Sequence, residues 1–386
     1  MVNTSTTDSI TMFKLNSKLI AFTALVCSAG LGMAQDNQAL IDVLIQKGIL
    51  NQEEAANIQK DLAKSAAASR SKTVISGRLY IDVSNVTAKT DAGVKVDPSG
   101  FGTDVKRFYL GVTHQFDNMW SYNINTDSAF SSSTGATSTF IKTAYVQAKF
   151  SPAAIVQVGS ANQPWIPFVE DAFTLRYVEK TVTDRLGVGN SADWGVHFLG
   201  TSNMVSYNFA MVNGGGYKNP TRTNSVDWEG RVSIEPTKGL IFAVGGYSGY
   251  LGKDSNSAPA RQKASRVSLL ASYSTSKLNL GLEYFTEDNW GNTTGVASDS
   301  GDGYSAWGQY KFDKIWSAFG RIEHDKMSKD LHPSMRDNAY ILGVQYAAIK
   351  GVMLSLVYKN DNIDHPTSAS TVTDYSEIGM YSEIRF

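Results

Sequence analysis

From residue 73 to residue 386 the chain alternates apolar and polar side chains in segments of about ten residues, with no helical stretch between them. Residues two apart in a strand share a face, so each segment carries one apolar and one polar side. In 351–360, Val352, Leu354, Leu356 and Tyr358 lie opposite Met353, Ser355, Val357 and Lys359. In 225–235, Val226, Trp228, Gly230, Val232 and Ile234 lie opposite Asp227, Glu229, Arg231, Ser233 and Glu235. A soluble sandwich would bury the apolar side against a second sheet and use shorter strands. A barrel in lipid turns that side outward around a polar lumen.

Sixteen such segments are expected, near 73–84, 103–116, 119–129, 139–150, 154–161, 192–200, 203–212, 225–235, 239–249, 264–275, 277–287, 302–312, 315–326, 337–347, 351–360 and 374–386. Short turns such as Asp117-Asn118, Ser151-Pro152-Ala153, Pro236-Thr237-Lys238, Ser276, Asp313-Lys314 and Ile349-Lys350 alternate with longer polar loops. Seven turns at one mouth and eight loops at the other give an all-β fold. It is a 16-stranded antiparallel transmembrane β-barrel, spanning 73–386, with both ends on the short-turn side. Trp120, Tyr122, Tyr207, Trp228, Tyr273, Tyr304 and Trp316 fall near strand ends, as in an aromatic girdle, whereas Tyr381 falls on the inward set. The mean hydropathy of −0.21 is compatible with this, because alternation never produces a long apolar run.

The one continuous apolar stretch, Leu19 to Val26, follows Lys14 and Lys18 and precedes small residues up to Ala34. A charged start, a short apolar run and a small-residue end make residues 1–34 an expected secretory signal, cleaved before Gln35, with Met12 an alternative start. Cys27 leaves with that signal, since Ala24-Leu25-Val26 is a poor lipidation box. Residues 35–72 form an expected periplasmic helical segment and linker. Leu40, Val43, Leu44 and Lys47 fall at helical spacing and Gly48 stops the first helix. Asn51 with Glu54 makes a capping box for a second helix carrying Ile58 and Leu62, and 65–72 reads as linker. The pair either assists oligomerisation or is a weakly ordered tail. The last strand ends on Phe386, resembling the signal read by the barrel-assembly machinery of the outer membrane.

Several segments resemble the phosphate-selective porin O and P family. They are the preface Ala39 to Leu50 with Gln52-Glu53-Glu54-Ala55, and Val158 to Trp165 with Glu170 after it. Asp193-Trp194-Gly195-Val196 and Met211-Val212-Asn213-Gly214 follow in the same order. The resemblance implies homotrimeric outer-membrane porins whose third loop folds into the pore. It also implies many pore-lining Arg and Lys where phosphate is selected, and there the sequence departs.

The longest connection after residue 73 runs from 162 to 191 and contains Pro164, Trp165, Pro167 and Phe168. Connections this long are uncommon without a role. Its charges Glu170, Asp171, Arg176, Glu179, Lys180, Asp184 and Arg185 are expected at a constriction; the alternative is an exposed lid. The alternation places Arg78, Arg107, Arg231, Arg266, Lys311 and Arg321 on the lumen wall. It places Asp82, Asp127, Asp227, Glu229, Glu283, Glu323 and Glu377 there too. Rings of one sign make a filter. Both signs in similar number suggest passive, weakly selective diffusion of small hydrophilic solutes and ions, with an anion- or phosphate-selective channel as the alternative.

A plugged structural or adhesive barrel is a further reading, less favoured because the other loops are modest. Catalysis has little support. His114, His197, His324, His332 and His365 are scattered, leaving a lipase- or protease-like Ser–His pair as a remote alternative, and Gly214-Gly215-Gly216 lacks a P-loop Lys-Ser/Thr pair. No metal or other cofactor is expected. The 35 basic and 36 acidic residues balance, so net charge suggests no nucleic-acid partner. The expected surroundings are outer-membrane lipid.

Overall fold

The computed structural model describes residues 36–68, 72–131, 136–366 and 371–386. The expected signal segment lies outside the described residues, as does part of the linker. The chain divides into two units, Met1–Ser71 with Phe116–Asn118, and Lys72–Gln115 with Met119–Phe386.

The first unit holds two helices, α1 (Asp36–Gln46) and α2 (Gln52–Ala68). Between them Gly48 takes φ +65°, a conformation that a side chain would oppose. The backbone N–H of Asn51 donates to Glu54 Oε2 (3.1 Å), and that of Glu54 donates to Asn51 Oδ1 (2.8 Å). This reciprocal pair satisfies two of the donors that a helix start leaves open. Ile41 and Ala55 are buried with Ile45 and Ile58 packed on them, a small core.

The second unit is a closed barrel of sixteen strands. They are β1 (Lys72–Thr90), β2 (Lys95–Gln115), β3 (Trp120–Ser131), β4 (Ala136–Ser151), β5 (Ala154–Asn162), β6 (Ala192–Ser202), β7 (Val205–Val212) and β8 (Asp227–Thr237). There follow β9 (Leu240–Gly249), β10 (Ala264–Ser274), β11 (Leu278–Asp288), β12 (Ser300–Lys311), β13 (Trp316–Lys326), β14 (Arg336–Ile349), β15 (Val352–Asp364) and β16 (Val372–Arg385). Each strand pairs antiparallel with its sequence neighbours, and β16 pairs with β1 from Arg78↔Arg385 to Thr90↔Val372. Closure leaves no edge with unpaired N–H and C=O groups, the condition for strands to cross lipid. Among the described residues no helix is long and apolar enough to do so.

Burial alternates as the sequence demands. In β8, Asp227, Glu229, Arg231 and Ser233 are buried while Trp228, Val232 and Ile234 are exposed. The exposed side chains are large and apolar around the wall, including Val158, Phe198, Val244, Leu269, Leu282, Ile322, Leu342 and Leu356. This is inside-out relative to a soluble protein, and lipid is the solvent that accepts it. Trp120, Trp228, Tyr273, Tyr304 and Trp316 are exposed on this outer surface, while Tyr381 is fully buried inside.

The first hairpin departs from the sequence reading. Residues 85–102 read as a loop, yet β1 and β2 continue to Thr90 and from Lys95, leaving a turn at 91–94. The polar, Gly- and Pro-containing stretch stays paired because a bulge near Val86/Ala88 absorbs Pro98. Ser99 Oγ replaces the missing ladder bonds, accepting from Ala88 N (2.8 Å) and donating to Ala88 O (3.1 Å). Two further bulges matter more. Tyr80 pairs with Arg107 but Ile81 with Val105, leaving Lys106 as the extra residue. Asn125 pairs with Thr143 but Thr126 with Ile141, leaving Lys142 extra. Each bulge lets two consecutive side chains face inward.

At the seam, Gly77 and Phe386 exchange backbone hydrogen bonds of 3.2 and 3.1 Å. The Phe386 ring lies over Gly77, where an added Cβ would meet ring carbons at 2.1 Å. Gly77→Val should therefore expel the ring and destabilise barrel closure by about 1–3 kcal/mol, the usual range for overpacking. Loss of the heat-modifiable band on electrophoresis at a lower temperature would register this. Deleting Phe386 should lower the same band in the outer membrane, and an unaltered band in both variants would mean the seam contact is dispensable.

Candidate functional site

The third long connection, residues 163–191, turns into the lumen and packs against one side of the wall. It forms helix α3 (Ile166–Phe173) and the short helix α4 (Val182–Arg185). Trp165, Ile166, Val169, Phe173, Leu175, Tyr177 and Val178 are buried in one cluster with Ala243, Leu270, Trp307, Phe319, Ile341 and Val357. Those partners come from β9, β10 and β12 to β15. Gly245 permits the approach, since a Cβ there would meet the Trp165 ring at 2.3 Å.

Polar groups fix the same contact. Trp165 donates its backbone N–H to Glu229 (3.1 Å) and its indole N–H to Glu283 (2.8 Å), which also accepts from Thr183 (2.9 Å). Arg266 bridges Glu229 (2.7 Å) and the Val188 carbonyl. Arg231 donates to the Pro164 carbonyl (3.1 Å) with its guanidinium 3.8 Å from the Phe168 ring centre. Arg321 donates to the Lys180 carbonyl (2.6 Å) and pairs with Glu323. Lys359 donates to the Val178 carbonyl and to Glu179, both at 2.9 Å, and also lies 3.5 Å from Glu377.

The most concentrated anchor is Arg185. It meets Glu323 (2.6 Å), Asp361 (3.0 Å), Asp337 (3.2 Å) and Asp325 (3.4 Å). The other loop guanidinium, Arg176, stays within the loop, donating to Glu170 (2.5 Å) and Asp184 (3.2 Å).

The opposite side of the lumen stays open, as two cavities in series. One, of ≈ 410 Å³, lies toward the short-turn mouth and is lined by β1 to β5, Arg78, Lys142, Arg176, Arg385, Glu170 and Asp171 among its residues. The other, of ≈ 210 Å³, lies toward the long loops and is lined by Arg107, Lys142, Arg176, Lys180 and Lys218 with Asp127 and Asp184. Tyr109, Lys142 and Arg176 line both cavities, so they mark the junction. Asp127 is held by Arg107 (3.5 Å) and by the Tyr217 hydroxyl (2.5 Å). Lys142 sits 5.1 Å from the Tyr109 ring centre and Lys218 4.8 Å from that of Phe140. Among the described residues, Lys142, Lys180 and Lys218 carry no salt bridge.

The structure thus divides the residues singled out from the sequence. Arg78, Arg107, Asp127, Glu170, Asp171, Arg176, Lys180 and Asp184 line the open route. Arg231, Arg266, Arg321, Glu229, Glu283, Glu323, Glu179 and Arg185 hold the loop to the wall. Asp227 is buried beneath a loop-side cluster, accepting from the Tyr247 hydroxyl and the Tyr250 N–H (2.9 Å). Lys311 is exposed at the short-turn end of β12. Asp82 lies 3.8 Å from Lys106. Sequence reasoning missed Lys106 and Lys142, because strict alternation points both into lipid. It also missed Lys218, which lies in a loop, and Lys359, which alternation places inward. A lysine at an outward position of a membrane strand was the signal available, since lipid does not accept it without a register change.

Residues 74–166 match the family described as phosphate-selective porin O and P, bearing out the resemblance read from the sequence over that stretch. A comparison with curated proteins finds no match. Among solved structures, the anion-selective porin of Comamonas acidovorans superposes with a TM-score of 0.63 at 11% identity, covering 82% of this chain and all 100% of that one. The chain has the porin fold. OmpF of Salmonella typhi, solved with daunomycin, matches this porin barrel with a TM-score of 0.58 at 13% identity, covering 82% and 98%. The trimer form of OmpT of Vibrio cholerae gives 0.54 at 10%, covering 82% and 99%.

Proposed function

We propose that this chain is an outer-membrane porin, a water-filled channel for passive diffusion of small hydrophilic solutes, with a preference for anions. The observation that carries the preference is the unequal partition of charge. The wall as a whole holds both signs, but its acids on β8, β11 and β13 are used to fasten the loop. The larger open cavity is lined by four basic and two acidic side chains, and the smaller by five and two. Selectivity follows the charges that face the permeating ion, so the third loop and the β1–β5 wall together set size and preference. The family match over residues 74–166 and the porin fold support a channel rather than an enzyme.

The reading places the short-turn mouth and the N-terminal helical segment in the periplasm and the long loops outside. It also takes a homotrimer as the assembly, by analogy with the trimer form of Vibrio OmpT, with lipid around it and the barrel-assembly machinery reading the last strand. Single cysteines at Gly93 or Asn292 should react with an impermeant maleimide on intact cells, and ones at Asp117 or Lys314 should not. Labelling in the reverse pattern would invert the topology.

A further inference from the structure

A third recess, of ≈ 470 Å³, lies between the end of the third loop and the connections after β7, β9, β11 and β13. It shares Gly189, Asn190, Gly215 and Asn219 with the smaller pore cavity, so it opens beside the route a solute follows. Its lining is unlike the pore's. Leu186, Leu251 and Met327 pack on a buried cluster that includes Trp290, Tyr247 and Phe285, and they give the recess an apolar floor.

Into this apolar setting projects one buried carboxylate. Glu287 is only 3% exposed and lines the recess. Its Oε2 accepts the Trp290 N–H at 2.8 Å, and no basic side chain among the described residues forms a salt bridge with it. Its cross-strand neighbour is Arg266, but that guanidinium turns to Glu229 and the Val188 carbonyl instead. Lys253 stands at the rim and is exposed. A buried carboxylate without a counter-ion is costly, and a cation brought by a ligand would supply one. An apolar floor beside it takes the rest of such a ligand out of water.

We propose that this recess binds organic ammonium ions that carry an apolar body. The ammonium pairs with Glu287, and the body lies on Leu186, Leu251, Met327 and the edge of Trp290. Such a site would hold amphiphilic amines beside the pore mouth and apart from the basic route.

The probe is phenethylammonium, titrated calorimetrically against the folded protein in detergent micelles. Saturable binding is expected, and phenethyl alcohol, with the same body but no charge, should bind roughly tenfold more weakly, the lower end of what a hydrogen bond to a charged group contributes. Glu287→Gln keeps the shape and an acceptor for the Trp290 N–H. It should weaken the amine by a similar factor and leave the alcohol unchanged. Met327→Lys places a cation in the recess and removes part of its apolar floor, so it should weaken both ligands but the amine far more than the alcohol, which guards against a folding defect in the first variant. Equal binding of amine and alcohol, undiminished amine binding in both variants, or no saturable binding would overturn the proposal. The readout does not involve conductance, so it stands or falls apart from the channel reading.

Discussion

Replacing Arg185 with Gln is expected to loosen the C-terminal half of the third loop and raise both the conductance and the current noise of the channel. Arg185 reaches four carboxylates that sit on three strands, and its side chain is only 17% exposed. Glu323 would keep Arg321 as a partner. Asp325, Asp337 and Asp361 would be left facing one another, and one oxygen each of Asp337 and Asp361 already lacks a hydrogen bond. Removing one partner of a buried ion pair typically costs about 3–5 kcal/mol, because the other charge stays buried and uncompensated. The remaining contacts of Trp165 and α3 lie at the other end of the loop, so the barrel itself should persist. Limited proteolysis should then cut within 174–191 in the variant and spare the parent. Arg185→Lys should fall between, since one ammonium cannot span four carboxylates. A variant with parental conductance, noise and protease resistance would show that the apolar packing and the bonds from Arg266, Arg321 and Lys359 hold the loop without Arg185.

The second large effect is expected on ion preference. Lys142, Lys180 and Lys218 line the smaller cavity, and among the described residues no carboxylate forms a salt bridge with them. Changing all three to Gln should shift the reversal potential toward cations, a several-fold change in the anion-to-cation permeability ratio. Two unit charges about 4 Å apart interact by roughly 1 kcal/mol in water and about 4 at an effective dielectric near 20. A narrow protein-lined passage falls between these limits. The shift should shrink as salt rises, since the Debye length is about 10 Å at 0.1 M. Arg176→Gln should move the potential the same way and also loosen the loop, because it uncovers Glu170 and Asp184. Arg185→Gln should alter size far more than sign. The sequence groups Arg176, Lys180 and Arg185 as equivalent loop cations, and these two experiments separate them.

The barrel was legible because its cause is local. A period of two fixes which face meets lipid, and seven tight turns fix neighbour pairing, so strand number and order follow. The first hairpin was misread because Pro98 and several glycines look like loop, and only the pairing shows Ser99 standing in for the ladder. The inward sets were also legible, as β8 illustrates with Asp227, Glu229 and Arg231. What alternation cannot say is whether an inward residue meets water or the folded loop. Glu229 and Glu283 answer the loop, and Arg107 answers the cavity. That depends on which wall the loop chooses, a matter of long-range packing of Trp165, Phe173 and Tyr177. Lys106 and Lys142 were illegible for a different reason, because one extra residue in a strand reverses the face of everything that follows until the register is restored.

An open, basic-lined route runs along the β1–β5 wall, and single-channel recording in a salt gradient tests it most directly. Purified protein in a planar bilayer should show ohmic steps, a reversal potential on the anion side in dilute salt, and loss of that preference in the Lys142, Lys180 and Lys218 triple variant. Absence of conductance, or a cation preference that the triple variant leaves unchanged, would contradict it.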